Sequence, residues 1–377
     1  MKNVLCLLVF LCFILVCNGQ NRENFKLHGE ISNGYNGKVF FSRVFGSSKD
    51  TTVIADNGHF LIEGTVSEPA LATLEYADKK FSFYIEAGEL NISISPSLPC
   101  GFKLIGSQAQ SDKEELDKMN LSTISLMDSI WKIYVVKREE ADSPEKQRLG
   151  ELMDSLHQER KLIMIEFIKS HPNSFVSLDN LIYIDIDSHP IDTIRGWFNR
   201  FSDQLKKYES GQRIDKMIRR YEATDLGQQA PVFSTIGHNG EIIDLASFKG
   251  KTVILEFWAS WCVPCLESIS HLKTLYYKYQ NNGLVVIGIS IDSDINKWVT
   301  GIKKHQLDMW PQALAIVDKE SAKKGFISEA EIASQYPTNP IPRMLVIDQK
   351  GKIIKKWNGY GEEYRKEQDD FFEDYFK

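Results

Sequence analysis

The sequence predicts a multidomain chain: an all-β domain, a helical middle region and a C-terminal α/β domain. Three observations predict it. From residue 24 to about 105, apolar and polar residues alternate between turn signals rich in Gly and Asn. From Ser111 to about Thr224 the apolar period becomes helical, with long charged stretches. From Leu226 onward, buried apolar strands alternate with helices, the pattern of βαβ units. The boundaries read as a signal peptide at 1–19, a β-sandwich-like domain at 20–108, a helical linker or docking region at 109–225 and the α/β domain at 226–377. A length of 377 residues agrees, since one domain holds ~100–200.

The signal-peptide reading rests on Lys2 and an uninterrupted apolar run over residues 4–17. A membrane span needs ~18 apolar residues, so the run fits the core of an export signal, with Cys17-Asn18-Gly19 supplying small residues for cleavage before Gln20. Lipidation of Cys17 is the alternative, but Val16 stands where a lipoprotein signal has a small residue. Membrane attachment is expected only if Cys17 is lipidated. The expected location is the periplasm or cell envelope.

Composition narrows the function classes. With 42% hydrophobic and 25% charged residues the chain is globular, and 45 basic against 51 acidic residues give a net charge of −6. No basic surface dominates, so nucleic acid is not an expected partner.

In the β domain, residues 25–31 alternate, Gly34-Tyr35-Asn36-Gly37 turns, and residues 38–44 resume. Residues 51–55, the turn Asp56-Asn57-Gly58 and residues 59–64 predict a hairpin. Strand-like segments at 71–76, 81–86 and 90–95 complete a sandwich or barrel without a cluster of chemically active residues. In the helical region Leu116, Met119, Ile124, Met127, Trp131 and Tyr134 form one stripe, and Leu149, Leu152, Leu156, Leu162, Ile163 and Phe167 a second. Both stripes are expected to face a core. Further helices are predicted at 192–201 and 214–221.

In the last region, residues 252–258 form an apolar strand broken only by Glu256, followed by a helix at 266–279 and a buried strand at 284–291. A helix at 294–305, a strand at 344–347, a turn at 349–352 and a strand at 353–357 follow. Helices are expected on both faces of the sheet.

Chemistry concentrates in Phe257-Trp258-Ala259-Ser260-Trp261-Cys262-Val263-Pro264-Cys265, which leaves a buried strand and opens a helix. Spacing of i and i+3 brings both sulfurs onto one helical turn, close enough to bond. Cys262 at the helix N-terminus faces unsatisfied N–H groups that favour its thiolate. Cys265, one turn further in, would resolve a mixed disulfide. Of the other cysteines, Cys6, Cys12 and Cys17 fall in the segment to be removed, and Cys100 sits alone in a turn. Zinc needs two more ligands than this pair offers, and His271 on the same helix reads as a core or surface histidine, so no metal is expected.

The motif and its strand–turn–helix setting resemble thioredoxin, and closely the exported TlpA/ResA-like thiol-disulfide oxidoreductases. Gly227-Gln228-Gln229-Ala230-Pro231-Val232-Phe233 resembles that family's lead-in, and Phe248-Lys249-Gly250-Lys251 its approach to the first core strand. Residues 284–292 with Trp298 and Trp310, and Asn339-Pro340-Ile341-Pro342-Arg343-Met344-Leu345-Val346-Ile347-Asp348, match later segments. The resemblance covers about 226–360. It implies a cis Pro342 facing the cysteines, with Ile341 offering its backbone to substrate, while Pro337 and Pro340 only rigidify the loop. It implies that Glu256 accepts the proton of Cys265; the alternative is a solvated carboxylate at a sheet edge. Trp261 would be a substrate-facing wall, Trp258 a packing residue, and Val263-Pro264 would tune the potential. The family often carries Glu three residues after the second cysteine and Pro five after; here Ser268 and Ser270 stand there, which leans more weight on Glu256.

These readings imply an exported thiol-disulfide oxidoreductase that reduces protein disulfides without cofactor, regenerated by a membrane or periplasmic electron donor. A peroxiredoxin-like peroxidase or a non-catalytic binding protein of the same fold are the alternatives; Ala259-Ser260-Trp261 lacks the peroxidase's Pro and Thr/Ser pattern. Phe83-Tyr84-Ile85-Glu86-Ala87-Gly88 and the Gly106-Ser107 ending resemble an uncharacterised β domain that precedes exported thioredoxins in Bacteroidota, from which no activity follows.

Overall fold

A computed structural model describes residues 22–43, 51–98, 100–136, 143–184, 188–315 and 332–377. The expected signal peptide and Cys17 lie outside the described residues. The chain divides into two units, residues up to Asn180 with Lys207–Glu209, and Leu181–Lys206 with Ser210–Lys377. The helical stretch is shared between them.

The first unit opens with eight strands: β1 (Glu23–Ile31), β2 (Gly37–Arg43), β3 (Thr51–Ala55), β4 (His59–Val66), β5 (Ala70–Tyr76), β6 (Lys79–Ile85), β7 (Gly88–Ile94) and β8 (Phe102–Ile105). They form two four-stranded sheets, β4-β1-β7-β8 and β3-β2-β5-β6. Alternate residues of both, among them Leu27, Ile62, Leu90 and Ile92 from one and Val39, Leu74, Phe83 and Ile85 from the other, fill one core. This is a sandwich. The expected hairpin at Asn57-Gly58 is corrected. The turn forms, with both residues at positive φ, but β3 and β4 share only the bridge between Asp56 and His59 and then enter different sheets. Each strand buries one face in the shared core and takes its ladder partner from elsewhere, β2 for β3 and β1 for β4.

Helices α1 (Gln108–Met119), α2 (Leu121–Val136), α3 (Pro144–Ser170) and α4 (Phe175–Leu181) follow. Ser107 caps α1 by accepting from the Gln110 N–H at 3.1 Å, and the Gln110 side chain accepts in turn from the Tyr84 N–H of β6 at 3.0 Å. The expected core-facing stripes are only partly realised. Leu116, Met127, Ile130, Leu156 and Phe167 are buried, whereas Trp131 is 55% and Leu162 67% exposed, and Met119 and Leu152 are exposed as well. Two helices lying together bury one narrow stripe each, so a broad apolar face leaves its flanks in water.

The second unit contains α5 (Ile191–Arg200) and all but one end residue each of α6 (Asp203–Lys207) and α7 (Glu209–Ala223). Arg195 of α5 grips Glu222 of α7 with two hydrogen bonds, 2.6 and 2.8 Å, and Asp215 with a third at 2.5 Å. A two-stranded ribbon, β9 (Ser234–Ile236) and β10 (Ile242–Asp244), precedes the central sheet. That sheet is built from β11 (Thr252–Trp258), β12 (Leu284–Ser290), β13 (Gln312–Leu314), β14 (Arg343–Ile347) and β15 (Ile353–Asn358), in the order β13-β12-β11-β14-β15. The first three run parallel; β14 and β15 are antiparallel to their neighbours. Helices α8 (Val263–Tyr279) and α9 (Ile295–His305), the short α10 (Ile332–Gln335) and α11 (Glu362–Tyr375) complete the unit.

Residues of α8, α9 and α11 pack on one face of the sheet. The described cover of the other face is lighter: Phe233, Ile243 and Leu245 from the ribbon side, with Ile332, Ala333 and Tyr336 from α10 and its end. Along the chain, an all-β domain and a helical middle are followed by a thioredoxin-like α/β unit.

Candidate active site

Strand β11 runs down the middle of the sheet, with β12 on one side and β14 on the other, and all seven of its residues are buried. Side chains of a strand alternate between faces. Val253, Leu255 and Phe257 enter the core beneath α10, whereas Ile254 and Trp258 enter the core that holds Cys262, Cys265 and the inner face of α8. Glu256 shares the parity of Ile254 and Trp258, and therefore points to the cysteine side.

The carboxylate is 1% exposed and its strand is central, paired through Glu256 with Gly288 and with Met344. That overturns the sheet-edge alternative. Burial pushes the Glu256 carboxyl well above its ordinary value. The hydroxyl of Ser268 pulls it back only in part, because neither oxygen accepts a hydrogen bond of ordinary geometry. Ser268, buried on α8 one turn past Cys265, is the residue that stands where the family often has Glu.

After Trp258 the chain leaves the sheet in a short turn pinned by Asp292. This buried carboxylate accepts from the Ser260 N–H at 2.9 Å, the Ser260 hydroxyl at 2.8 Å and the Ser290 hydroxyl at 2.7 Å. Trp258 is fixed as well: its indole N–H donates to Gln312 Oε1 at 3.2 Å, and Gln312 donates onward to the Leu307 carbonyl at 3.0 Å. Asp292 and Ser260 carry no sequence signal of their own, since a polar side chain beside a strand end reads as a turn residue.

Cys262 is the N-cap of α8, in extended backbone at φ −88° and ψ 97°, and its Sγ accepts from the Cys265 N–H at 3.3 Å. Pro264 sits in the first turn, where its missing N–H leaves nothing unsatisfied. Cys262 and Cys265 are joined by a disulfide with an S–S distance of 2.10 Å and Cα atoms 5.3 Å apart. Cys265 is fully buried and Cys262 nearly so. Trp261 and Val263, each 64% exposed, and Pro264 stand out around the pair.

The peptide bond between Ile341 and Pro342 is cis; so is that between Asn339 and Pro340, where the sequence reading assigned only a rigidifying proline. The β11–β14 register sets Arg343 opposite Phe257, so Pro342 falls beside Trp258, at the end of the strand that feeds the cysteine turn. Pro342 is buried and Ile341 partly so. His271, on α8, is buried with Nε2 3.3 Å from Asp369 Oδ1, and no group of three metal-ligating side chains gathers among the described residues. Cys100 is free and exposed.

A mixed sheet whose central strand runs through a short turn into a helix capped by one half of a Cys-x-x-Cys disulfide, with a cis-proline loop at the neighbouring strand, defines the thioredoxin-like dithiol proteins. Comparison with known proteins agrees. Residues 225–371 match the Redoxin family, and residues 25–112 match a domain of unknown function, DUF4369. The thiol-disulfide oxidoreductase ResA of Bacillus thuringiensis subsp. konkukian is 33% identical over 156 residues, which span 41% of this chain and 79% of that protein. ResA of Bacillus subtilis is 24% identical over 138 residues, 37% of this chain and 70% of its own length. Among solved structures, the thioredoxin domain of a thiol-disulfide oxidoreductase from Bacteroides vulgatus is similar at 25% identity, covering 39% of this chain and 98% of that one, with a TM-score of 0.33. A thiol-disulfide oxidoreductase from Bacteroides fragilis is similar at 30% identity, covering 38% and 99%, with a TM-score of 0.31. The chain belongs to the ResA-like thiol-disulfide oxidoreductases.

Proposed function

We propose that the protein is an exported reductase of protein disulfides working through Cys262 and Cys265. The observation that carries this reading is the disulfide at the N-terminus of α8, with one sulfur wholly buried on the face toward which Glu256 points. In the reduced enzyme the Cys262 thiolate, favoured by the free N–H groups of the first turn, attacks one sulfur of a substrate disulfide. A mixed disulfide forms and the first substrate sulfur leaves as a thiolate. Glu256 takes the proton of Cys265, whose sulfur then attacks Cys262 Sγ and expels the second substrate sulfur. Two electrons have passed from the dithiol to the substrate, and the intramolecular disulfide remains. A dithiol donor of the membrane or periplasm restores the reduced pair.

Raised by burial, the Glu256 carboxyl holds and returns a proton near neutral pH better than an ordinary carboxylate would. Ile341 offers its backbone to an extended substrate segment, in the manner of strand addition, and Trp261 and Val263 form the apolar rim. The N-terminal run supports export, and among the described residues no helix is long and apolar enough to cross a membrane.

The test is reduction of insulin disulfides with dithiothreitol as terminal reductant. Wild-type protein is expected to accelerate it and Cys262→Ala to abolish the acceleration; equal rates for the two would overturn the reading. A reduction potential near about −270 mV is expected for this role, against about −120 mV for a strong oxidant.

A further inference from the structure

The loop bearing Ile341 and Pro342 is held from outside the segment that matches the Redoxin family. Tyr221 lies on α7, ahead of residue 225 where that match begins. Its hydroxyl donates to the Asn339 carbonyl at 3.1 Å and accepts from Arg343 Nη2, also at 3.1 Å. One oxygen therefore touches both residues that flank Pro340-Ile341-Pro342. The Arg343 guanidinium also lies over the Tyr221 ring, 5.0 Å from its centroid, and Arg343 is 1% exposed at the start of β14. The neighbouring Arg220 donates to the Ala333 carbonyl at 2.6 Å, and α7 is itself anchored to α5 through Arg195.

At the tip the Pro342 carbonyl accepts from the Gly359 N–H at 2.7 Å and Ile341 packs against the cores on both sides of the sheet, so the Tyr221 bonds add a tie across the base of the loop. A binding surface held in one geometry spares an incoming ligand the entropy of ordering it.

We propose that Tyr221 is a positioning residue whose hydroxyl, by bonding Asn339 and Arg343 together, fixes the Ile341–Pro342 loop for polypeptide substrates. This rests on the reading of Ile341 as the substrate-pairing residue. The clamp therefore matters for a disulfide flanked by extended backbone, which lays a strand along the loop, and not for a small disulfide, which meets Cys262 alone.

The experiment uses Tyr221→Phe, which keeps the ring beneath the guanidinium and removes both hydrogen bonds. One neutral and one charge-assisted bond are lost, and because only part of that loss reaches substrate binding through the loop, a rise in KM for insulin of roughly five- to tenfold is expected. Meanwhile kcat, and the single-turnover rate of pre-reduced enzyme with a small aromatic disulfide, are expected to stay within about twofold of wild type. Amide hydrogen exchange at Ile341 and Arg343 is expected to quicken. An unchanged KM, or an equal loss with both disulfides, overturns the proposal. Should wild-type enzyme itself leave insulin untouched, the reductase reading falls, and the exchange rates alone judge the clamp: unchanged exchange in Tyr221→Phe overturns it.

Discussion

Replacing Glu256 with Gln removes the one carboxylate that β11 buries, and the consequence can be worked out with its sign. The native carboxyl has a raised pKa, chiefly through burial, whereas in the unfolded chain it titrates near its ordinary value of 4.5. Below 4.5 both states carry the proton and the group contributes no pH dependence. Above 4.5 the unfolded chain has released its proton while the native chain still holds one, so stability falls as pH rises, until the native carboxyl itself ionises. Within that window the slope approaches about 1.4 kcal/mol per pH unit. The amide introduced by Glu256→Gln does not titrate, so the variant lacks this slope. Its stability relative to wild type should grow by up to about 1.4 kcal/mol between about pH 5 and pH 6. The assay is urea unfolding from about pH 4 to pH 8 with the Cys262–Cys265 disulfide intact, which keeps thiol titration out of the comparison. Parallel stability profiles for the two proteins would refute the reasoning, because they would mean the carboxyl titrates as though solvated. With the dithiol active, the same variant should slow insulin reduction by something on the order of 10²-fold through loss of the proton acceptor.

Asp292→Asn keeps the shape but presents an amide N–H₂ to hydroxyl and N–H donors; melting curves should show a loss of about 2–3 kcal/mol, and alkylation of Cys262 in the reduced protein should slow as the turn loosens. Gly288→Ala places a Cβ 2.3 Å from Gln312 Oε1, the atom that accepts from Trp258, so overpacking should cost about 1–3 kcal/mol, and an unchanged melting temperature would contradict the described packing. Leu162→Ser and Trp131→Ser should each stay within about 0.5 kcal/mol of wild type in chemical unfolding, since both side chains are exposed; a loss of several kcal/mol would place them in a core after all. Thiol titration of the chain from Gln20 onward should find one reactive cysteine, Cys100, before reduction and three after it.

The dithiol was legible because its chemistry is local. Two cysteines three residues apart, at a junction where a buried apolar strand gives way to a helical period, fix their own geometry through the helix they begin. Pro342 was legible only through resemblance, because the run from Asn339 to Asp348 matches the family's segment that leads into a buried strand. Glu256 was visible as an exception inside an apolar run, although only the central place of β11 in the sheet decides that it has no route to water.

Long-range partners were not legible. Asn57-Gly58 announced a turn, and the turn is there, yet ladder partners are chosen by the core that both sheets fill, which sent β3 and β4 apart. The helical stripes showed apolar period but not how wide a face would be covered, and so overstated the burial of Trp131 and Leu162. The Ser268 hydroxyl behind Glu256, the Asp292 carboxylate under Ser260 and the Tyr221 hydroxyl across the proline loop come from residues 12, 32 and about 120 positions away. By itself the sequence determined which atoms can exchange electrons, since covalent spacing and helix polarity act over a single turn. Only the tertiary structure decided which groups surround those atoms, because burial and hydrogen bonding between distant segments depend on where the sheet brings them together.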